Sequence, residues 1–366
     1  MTVLAVIGVL ALLIFVHELG HFMAARLQGI HVNRFSIGFG PILWKYQGPE
    51  TEYALRAVPL GGFVGFPDDD PESAIPPEDP DLLRNRPVWD RAIVISAGVI
   101  ANMIFAYLVF VLQFGSLGVP AVNPGVLIPR VIVDAPAETA GLQNSDVILS
   151  AGGQTFGQGE GVQRKLIDVI QSSPGTPVDL TVLRNSQQLE LSVTPQIDPA
   201  TGDALIGVEL SPNYELNDDG TVIFRSARNP VELFSVAARE FQDKTKLVAG
   251  GMLSLFTNFA DMAGQVGSPV RIVEQGAGLA NDDIRTLFPF AAIISINLAI
   301  INILPLPALD GGQLAFLLIE AVRGKPLPMR LQESVMQTGI FLLLGLGIFL
   351  IIRDTTQLEV LQNLGL

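Results

Sequence analysis

The chain has 366 residues, 49% of them apolar and only 16% charged, with a mean hydropathy of +0.44; soluble domains carry about 25% charged residues, so an ordinary soluble enzyme is excluded. Thirty-six acids against 22 bases leave a net charge of −14 without any lysine or arginine run, which argues against nucleic acid as a partner. The absence of cysteine rules out a disulfide frame, a thiolate metal site, a cysteine nucleophile and an iron–sulfur cluster.

Four stretches are long and apolar enough to cross a bilayer, which takes roughly 20 residues: Thr2 to Ala25, Ala92 to Phe114, Leu287 to Leu304 and Val335 to Ile352. The first does not read as a signal peptide. It has no positive n-region and runs into His17-Glu18-Leu19-Gly20-His21 with no small-residue cleavage pattern. Pro305-Leu306-Pro307 should end or kink the third before a second apolar run, Gln313 to Val322. Arg26, Arg34, Arg84, Arg86 and Arg91 flank the first two spans on one side, and Arg323, Lys325 and Arg330 follow the third there. That side is expected to be cytoplasmic, with both termini and the long 115–286 region outside.

Between the first two spans, residues 35–46 and 51–60 flank the turn Gln47-Gly48-Pro49-Glu50 and read as an apolar β-hairpin. The stretch 67–81, rich in Asp, Glu and Pro, reads as a flexible linker. Beyond the second span, 119–228 reads as a small α/β domain. Pro136-Ala137-Glu138 opens a helix that Gly141 closes, and Val162, Leu166, Val169 and Ile170 form a helical stripe. Alternating residues at 178–182 and 189–193, joined at Arg184-Asn185-Ser186-Gln187, signal a hairpin. Residues 229–286 then read as an amphipathic helix, capped by Asn229, and a linker. The membrane core thus falls into two halves, 1–118 and 287–366, around the inserted segment.

His17 and His21 stand four apart on one helix face, the spacing that lets two imidazoles reach one metal ion. Glu18 falls beside that face, placed to take a proton from water. The alternative is a polar patch packing in a helical bundle, but polar groups at membrane depth are costly and an unpaired set has no structural use there. Tetrahedral zinc in a catalytic site takes a third protein ligand and leaves one position for water. Asp310, the sole acid between Arg285 and Glu320, is the expected oxygen donor; its other reading is a turn residue before Gly311-Gly312. Residue 17 lies about 22 Å along an inward-running helix, and residue 310 follows the inner part of the third span, so both fall toward the cytoplasmic side.

These motifs carry a resemblance. HELGH in the first span, GFGPILW with TEYALRAVPLGGFV, and the run from Asn302 through Leu304-Pro305 to Leu309-Asp310-Gly311-Gly312 resemble the site-2 protease family of intramembrane zinc metalloproteases. Residues 119–197, with DAPAETAGLQNSDVILSAGGQTF, look like the single PDZ domain of its bacterial and plastid forms. The resemblance implies a polytopic α-helical membrane protein with four transmembrane helices, a membrane-associated β-hairpin at 35–66 and an extracytoplasmic PDZ-like domain, in a bacterial inner membrane or a plastid-type membrane. It implies Zn2+ held by His17, His21 and Asp310, with Glu18 as catalytic glutamate, and Asn302 contacting the substrate backbone or shaping the site. Its expected substrates are single-span membrane proteins, such as anti-sigma factors or leftover signal peptides. Two positions depart from the pattern: Val99, in Ala97-Gly98-Val99-Ile100-Ala101-Asn102, replaces the usual proline, and Ser145 stands where glycine is common.

Cleavage inside a membrane helix needs local unwinding, and the exposed N–H and C=O groups then need partners. The second strand of the hairpin, with Tyr53 and Leu55, is expected to offer an edge for that purpose by β-augmentation; the competing reading is a surface hairpin that braces the fold. Tyr53, Leu55, Asn102 and Asn302 are the candidate substrate-binding residues. The rival function is a catalytically inactive, membrane-anchored PDZ scaffold. A soluble-type zincin tethered by one span fits less well, because HELGH lies inside the span.

Overall fold

The computed structural model describes residues 2–70, 73–158, 161–198, 202–218, 220–257 and 267–356. Among the described residues, four helices are long and apolar enough to cross a membrane. They are α1 (Thr2–Leu27) and α2 (Val88–Leu117), followed later in the chain by the spans at Leu287–Ile303 and Met329–Thr356. The chain divides into two compact units, one of residues 117–228 and the other of 1–116 with 229–366.

In the larger unit, β1 (Arg34–Gln47) and β2 (Glu52–Gly65) follow α1. Near the turn they pair antiparallel, Gln47 with Glu52 through Trp44 with Leu55. The ribbon does not stay flat. Residues 34–37 also pair in parallel with 52–55 and antiparallel with 62–65. Four short segments therefore lie side by side in the order 44–47, 52–55, 34–37, 62–65. The folding back is made at Gly38 and Gly61, whose φ angles of +88° and +123° a residue with a Cβ rarely adopts. This corrects the expected edge: the segment carrying Tyr53 and Leu55 is interior, bonded on both sides. The Tyr53 ring lies 6.2 Å from Tyr46 and 6.0 Å from Phe22.

The acidic stretch that follows was expected to be a flexible linker, and its described residues are instead tied down. Asp68 accepts the Leu83 N–H at 3.0 Å, Asp70 accepts from Arg34 at 2.9 Å, and Asp79 faces His31 at 3.7 Å. Charge that looked solvated in sequence caps turns and pairs with the basic residues flanking the spans.

The smaller unit holds β3 (Val119–Pro120), β4 (Val122–Ile128), α3 (Pro136–Thr139), β5 (Asp146–Ala151), β6 (Gln154–Thr155), α4 (Val162–Gln171), β7 (Val178–Arg184) and β8 (Gln187–Val193). Short strands β9 (Gln196–Ile197), β10 (Ala204–Leu205), β11 (Ser211–Tyr214) and β12 (Phe224–Arg225) complete it. The main sheet runs β11-β4-β5-β7-β8, with β6 on β5. Its apolar face packs Ile128, Ile148 and Leu180 against Leu166 and Ile170 of α4. Asn185 and Ser186, at φ +50° and +63°, form the tight turn between β7 and β8. Asp146, fully buried, takes two bonds of 2.7 Å from Arg184, which locks β5 to β7. Ser145 sits at φ +70°, in the region that explains why glycine is usual there.

Back in the larger unit, α5 (Pro230–Thr257) starts where the Asn229 side chain accepts the Glu232 N–H at 2.9 Å. It packs alongside α2 through Phe241 on Tyr107, centroids 6.1 Å apart, so it belongs with the spans. Residues 258–266 of the expected linker and 357–366 of the last region lie outside the described residues. Then come α6 (Pro269–Asp282), α7 (Leu287–Ile303), α8 (Asp310–Arg323) and α9 (Met329–Thr356). Val6, Ala277 and Phe290 join α1, α6 and α7 in one apolar cluster.

The approach of α1 to α2 positions the site. A Cβ on Gly20 would lie 2.4 Å from the Ala97 carbonyl oxygen, and one on Gly98 would lie 2.3 Å from His21 Nε2. Two glycines therefore let the helix backbones come within a distance that any side chain would forbid.

Candidate metal centre

α1 presents His17 and His21 one turn apart, facing α2. Their Nε2 atoms are 3.3 Å from each other, and Asp310 Oδ2 lies 3.3 Å from that of His17 and 3.4 Å from that of His21. Asp310 reaches them because α7 stops at Ile303 and the Pro305-Leu306-Pro307 segment turns the chain, so that Asp310 opens α8. That turn is close: a Cβ on Gly311 would lie 2.1 Å from the Leu304 oxygen, and one on Gly312 would lie 2.3 Å from that of Leu306. The two glycines after Asp310 are thus required by the backbone folded over them.

The helix behind the imidazoles fixes their tautomers. His21 Nδ1–H donates to the Val94 carbonyl at 2.8 Å, which leaves Nε2 with a free lone pair. The Asn102 amide stands 3.1 Å from His17 Nδ1, and Asn102 Oδ1 is buried with no hydrogen-bond partner among the described residues. A half-turn of that amide puts the orphaned oxygen on His17 Nδ1–H and frees the second Nε2 in the same way. Asn102 itself is held by the Ser295 hydroxyl, which donates to its carbonyl at 2.8 Å.

The donor set fits zinc. Two ligands about 2.0–2.1 Å from a tetrahedral ion stand about 3.3–3.4 Å apart, and all three edges of the His17–His21–Asp310 triangle have that length. Among the described residues Asp310 Oδ2, which is buried, has no hydrogen-bond partner of its own, and an ion would supply one. Two nitrogens and one oxygen suit zinc and leave a fourth position for water.

Glu18 lies close to this triangle. Its carboxylate interacts electrostatically with both imidazoles and with Asp310, and its Cγ would be 2.8 Å from a Cβ on Gly62. The folded sheet therefore reaches the site through segment 62–65, not through Tyr53 or Leu55. Asn302 Nδ2 is 3.3 Å from His17 Nε2. Asn102 corrects the expectation of a substrate contact: it is fully buried and spent on His17. Sequence reasoning passed over Gly98, although Gly98 and Asn102 repeat on α2 the four-residue spacing of His17 and His21. A second group, His31 with Asp79 and Asp81, also clusters, but Arg86 already pairs with Asp81 at 2.7 Å.

Comparison with known proteins gives the family. Residues 5–346 match peptidase family M50. A protein of Nostoc sp. (strain PCC 7120), named as a zinc metalloprotease, is 60% identical over 364 residues, covering 98% of this chain and 97% of that one. The chloroplastic membrane metalloprotease ARASP of Arabidopsis thaliana is 46% identical over 367 residues, covering 99% of this chain and 80% of that one. Among solved structures, the PDZ domain of the SdrC-like protein of Listeria monocytogenes is 26% identical with a TM-score of 0.22, over 25% of this chain and 93% of that domain. With a match that spans both halves of the helical core and includes every residue of the His17–His21–Asp310 triangle, the chain belongs to peptidase family M50, the site-2 proteases.

Proposed function

We propose that this peptidase is an integral membrane zinc endopeptidase that cuts single-span membrane proteins within or near their transmembrane segments. The observation that carries the reading is the triangle of two nitrogens and one carboxylate oxygen, 3.3–3.4 Å on each side, with both nitrogens on a helix of membrane-spanning length. His17, His21 and Asp310 hold the ion. When bound, zinc polarises the scissile carbonyl and lowers the pKa of a water toward ~7. Glu18 takes the water proton and delivers it to the leaving amine. Asn102 and Val94 keep the two imidazoles oriented.

The expected measurement is zinc per chain together with cleavage of a transmembrane peptide by the purified protein. Glu18→Gln retains zinc and loses cleavage, because all three ligands remain. His17→Ala and Asp310→Ala lose the metal as well. Substantial turnover by Glu18→Gln removes the assigned role, and turnover independent of all four residues points to a scaffold with a contaminating protease.

The 62–65 segment presents the substrate. Among the described residues it has a strand neighbour, 34–37, on one side only. Asn33 N–H donates to the Gly65 carbonyl at 3.1 Å, so Gly65 faces the sheet. Strand residues alternate in the side to which their backbone groups point, and Val64 N–H and C=O therefore face the open side, in the segment that touches Glu18. An unwound substrate pairing there satisfies its freed backbone groups. Val64→Pro deletes that outward donor without removing a ladder bond to 34–37. Cleavage should fall about ten-fold or more, roughly 1.4 kcal/mol per factor of ten, with zinc content unchanged. Wild-type cleavage by folded Val64→Pro ends the strand-addition idea.

In this reading residues 26–91 and 323–334 lie in the cytoplasm and the PDZ-like unit outside, as the basic residues flanking the spans favour. Several of them are ion-paired, such as Arg34 with Asp70 and Arg86 with Asp81, but orientation follows the count of basic residues and not the net charge. Since the chain has no cysteine, Ser211→Cys should react with an impermeant thiol reagent on intact cells and Asp79→Cys should not. The opposite pattern reverses the orientation.

A further inference from the structure

Arg91 of α2 donates through Nη2 to Glu320 of α8, across 229 residues of chain, and the two side chains are only 16% and 15% exposed. Neither residue touches the metal triangle. Arg91, Val94, Gly98 and Asn102 follow one another at spacings of three and four, so they share one face of α2. That face supports both imidazoles: the Val94 carbonyl takes His21, the Asn102 amide takes His17, and Gly98 lies against both rings. Arg91 extends it to the helix of the third ligand. Asp310 opens α8, and Glu320 lies ten residues further, about 15 Å along the axis.

Stability alone does not account for such a pair. Burying two charges costs desolvation that the attraction often fails to offset, and an apolar pair of similar volume is commonly as stable. Here Arg91 Nε is moreover buried without a hydrogen-bond partner among the described residues. What the pair provides is direction. The start of α8 is set by a sharp turn in which Ala308 adopts φ +72°, and the buried Asp310 Oδ2 has no hydrogen bond among the described residues to hold it. A second fixed point well along the helix is needed to define its angle.

We propose that the Arg91–Glu320 ion pair is a positioning device for the metal site, holding α8 so that Asp310 meets the two imidazoles before the ion binds. The inference rests on the zinc reading given above. Ordering the third ligand in advance removes that cost from binding, so the pair acts on metal affinity.

The test is zinc affinity of the full-length protein in detergent, by chelator competition, beside thermal unfolding of the metal-stripped protein. Glu320→Gln should weaken zinc binding roughly ten-fold or more, the scale typical of residues that support metal ligands. The double variant Arg91→Met with Glu320→Leu should show the same loss while the stripped protein unfolds near the parent temperature, a combination that a purely structural pair does not produce. The exchange of Arg91→Glu with Glu320→Arg should recover the parent affinity. Cleavage by the double variant should be low at limiting zinc and return at saturating zinc. Parental zinc affinity in the folded double variant overturns the proposal. A parent chain that holds no zinc, or holds it as well with Asp310→Ala, overturns the zinc reading itself and the proposal with it.

Discussion

Two imidazoles and a carboxylate brought together among membrane-spanning helices must each be given a partner, because the surroundings offer little water to solvate them. A single carboxylate at the centre of a span costs about 2.5–3.5 kcal/mol even on a lenient insertion scale. The chain meets this constraint with one helix that contributes no ligand. α2 offers a carbonyl to His21, an amide to His17 and a bare glycine surface beneath both rings. The close approach of α1 and α2 at Gly20, and of the α7–α8 turn at Gly311 and Gly312, are consequences of bringing those donors to within 3.4 Å of one another.

In the proposed reading, the folded sheet answers a second shortage of water. A substrate helix opened for cleavage exposes backbone groups that no lipid can satisfy. A flat hairpin would leave two long free edges. Folding at Gly38 and Gly61 uses one ladder to cover another and leaves 62–65 as the outer segment next to Glu18. The residue order Gly61-Gly62 serves two purposes: a Cβ on the first would strike the Phe39 ring at 2.1 Å, and one on the second would strike Glu18. In the proposed reading, strand pairing and proton transfer are thereby set side by side.

Much of this was legible in the sequence. The four long helices follow from uninterrupted apolar runs, and the imidazole pair from a four-residue spacing on a helix. The lone acid after a double-proline break pointed to Asp310. What the sequence concealed is non-local. The parallel pairing of 34–37 with 52–55 depends on positive φ at glycines, and alternation alone cannot tell an edge strand from a central one. Asp68 and Asp70 looked like solvated charge because their partners, the Leu83 amide and Arg34, are 15 and 36 residues away. Arg91 and Glu320 looked unrelated for the same reason. Asn102 could be picked out as a motif residue, but its role required seeing His17 Nδ1 in front of it.

X-ray absorption at the zinc edge of the purified, metal-loaded chain tests the central claim most directly. With two of its three histidines in the site, the account predicts two imidazoles and two oxygen donors around zinc, at about 2.0–2.1 Å. Asp310→Asn should alter the oxygen shell and leave both imidazoles in place. A spectrum with one imidazole or with three, or a six-oxygen shell without nitrogen, would contradict it.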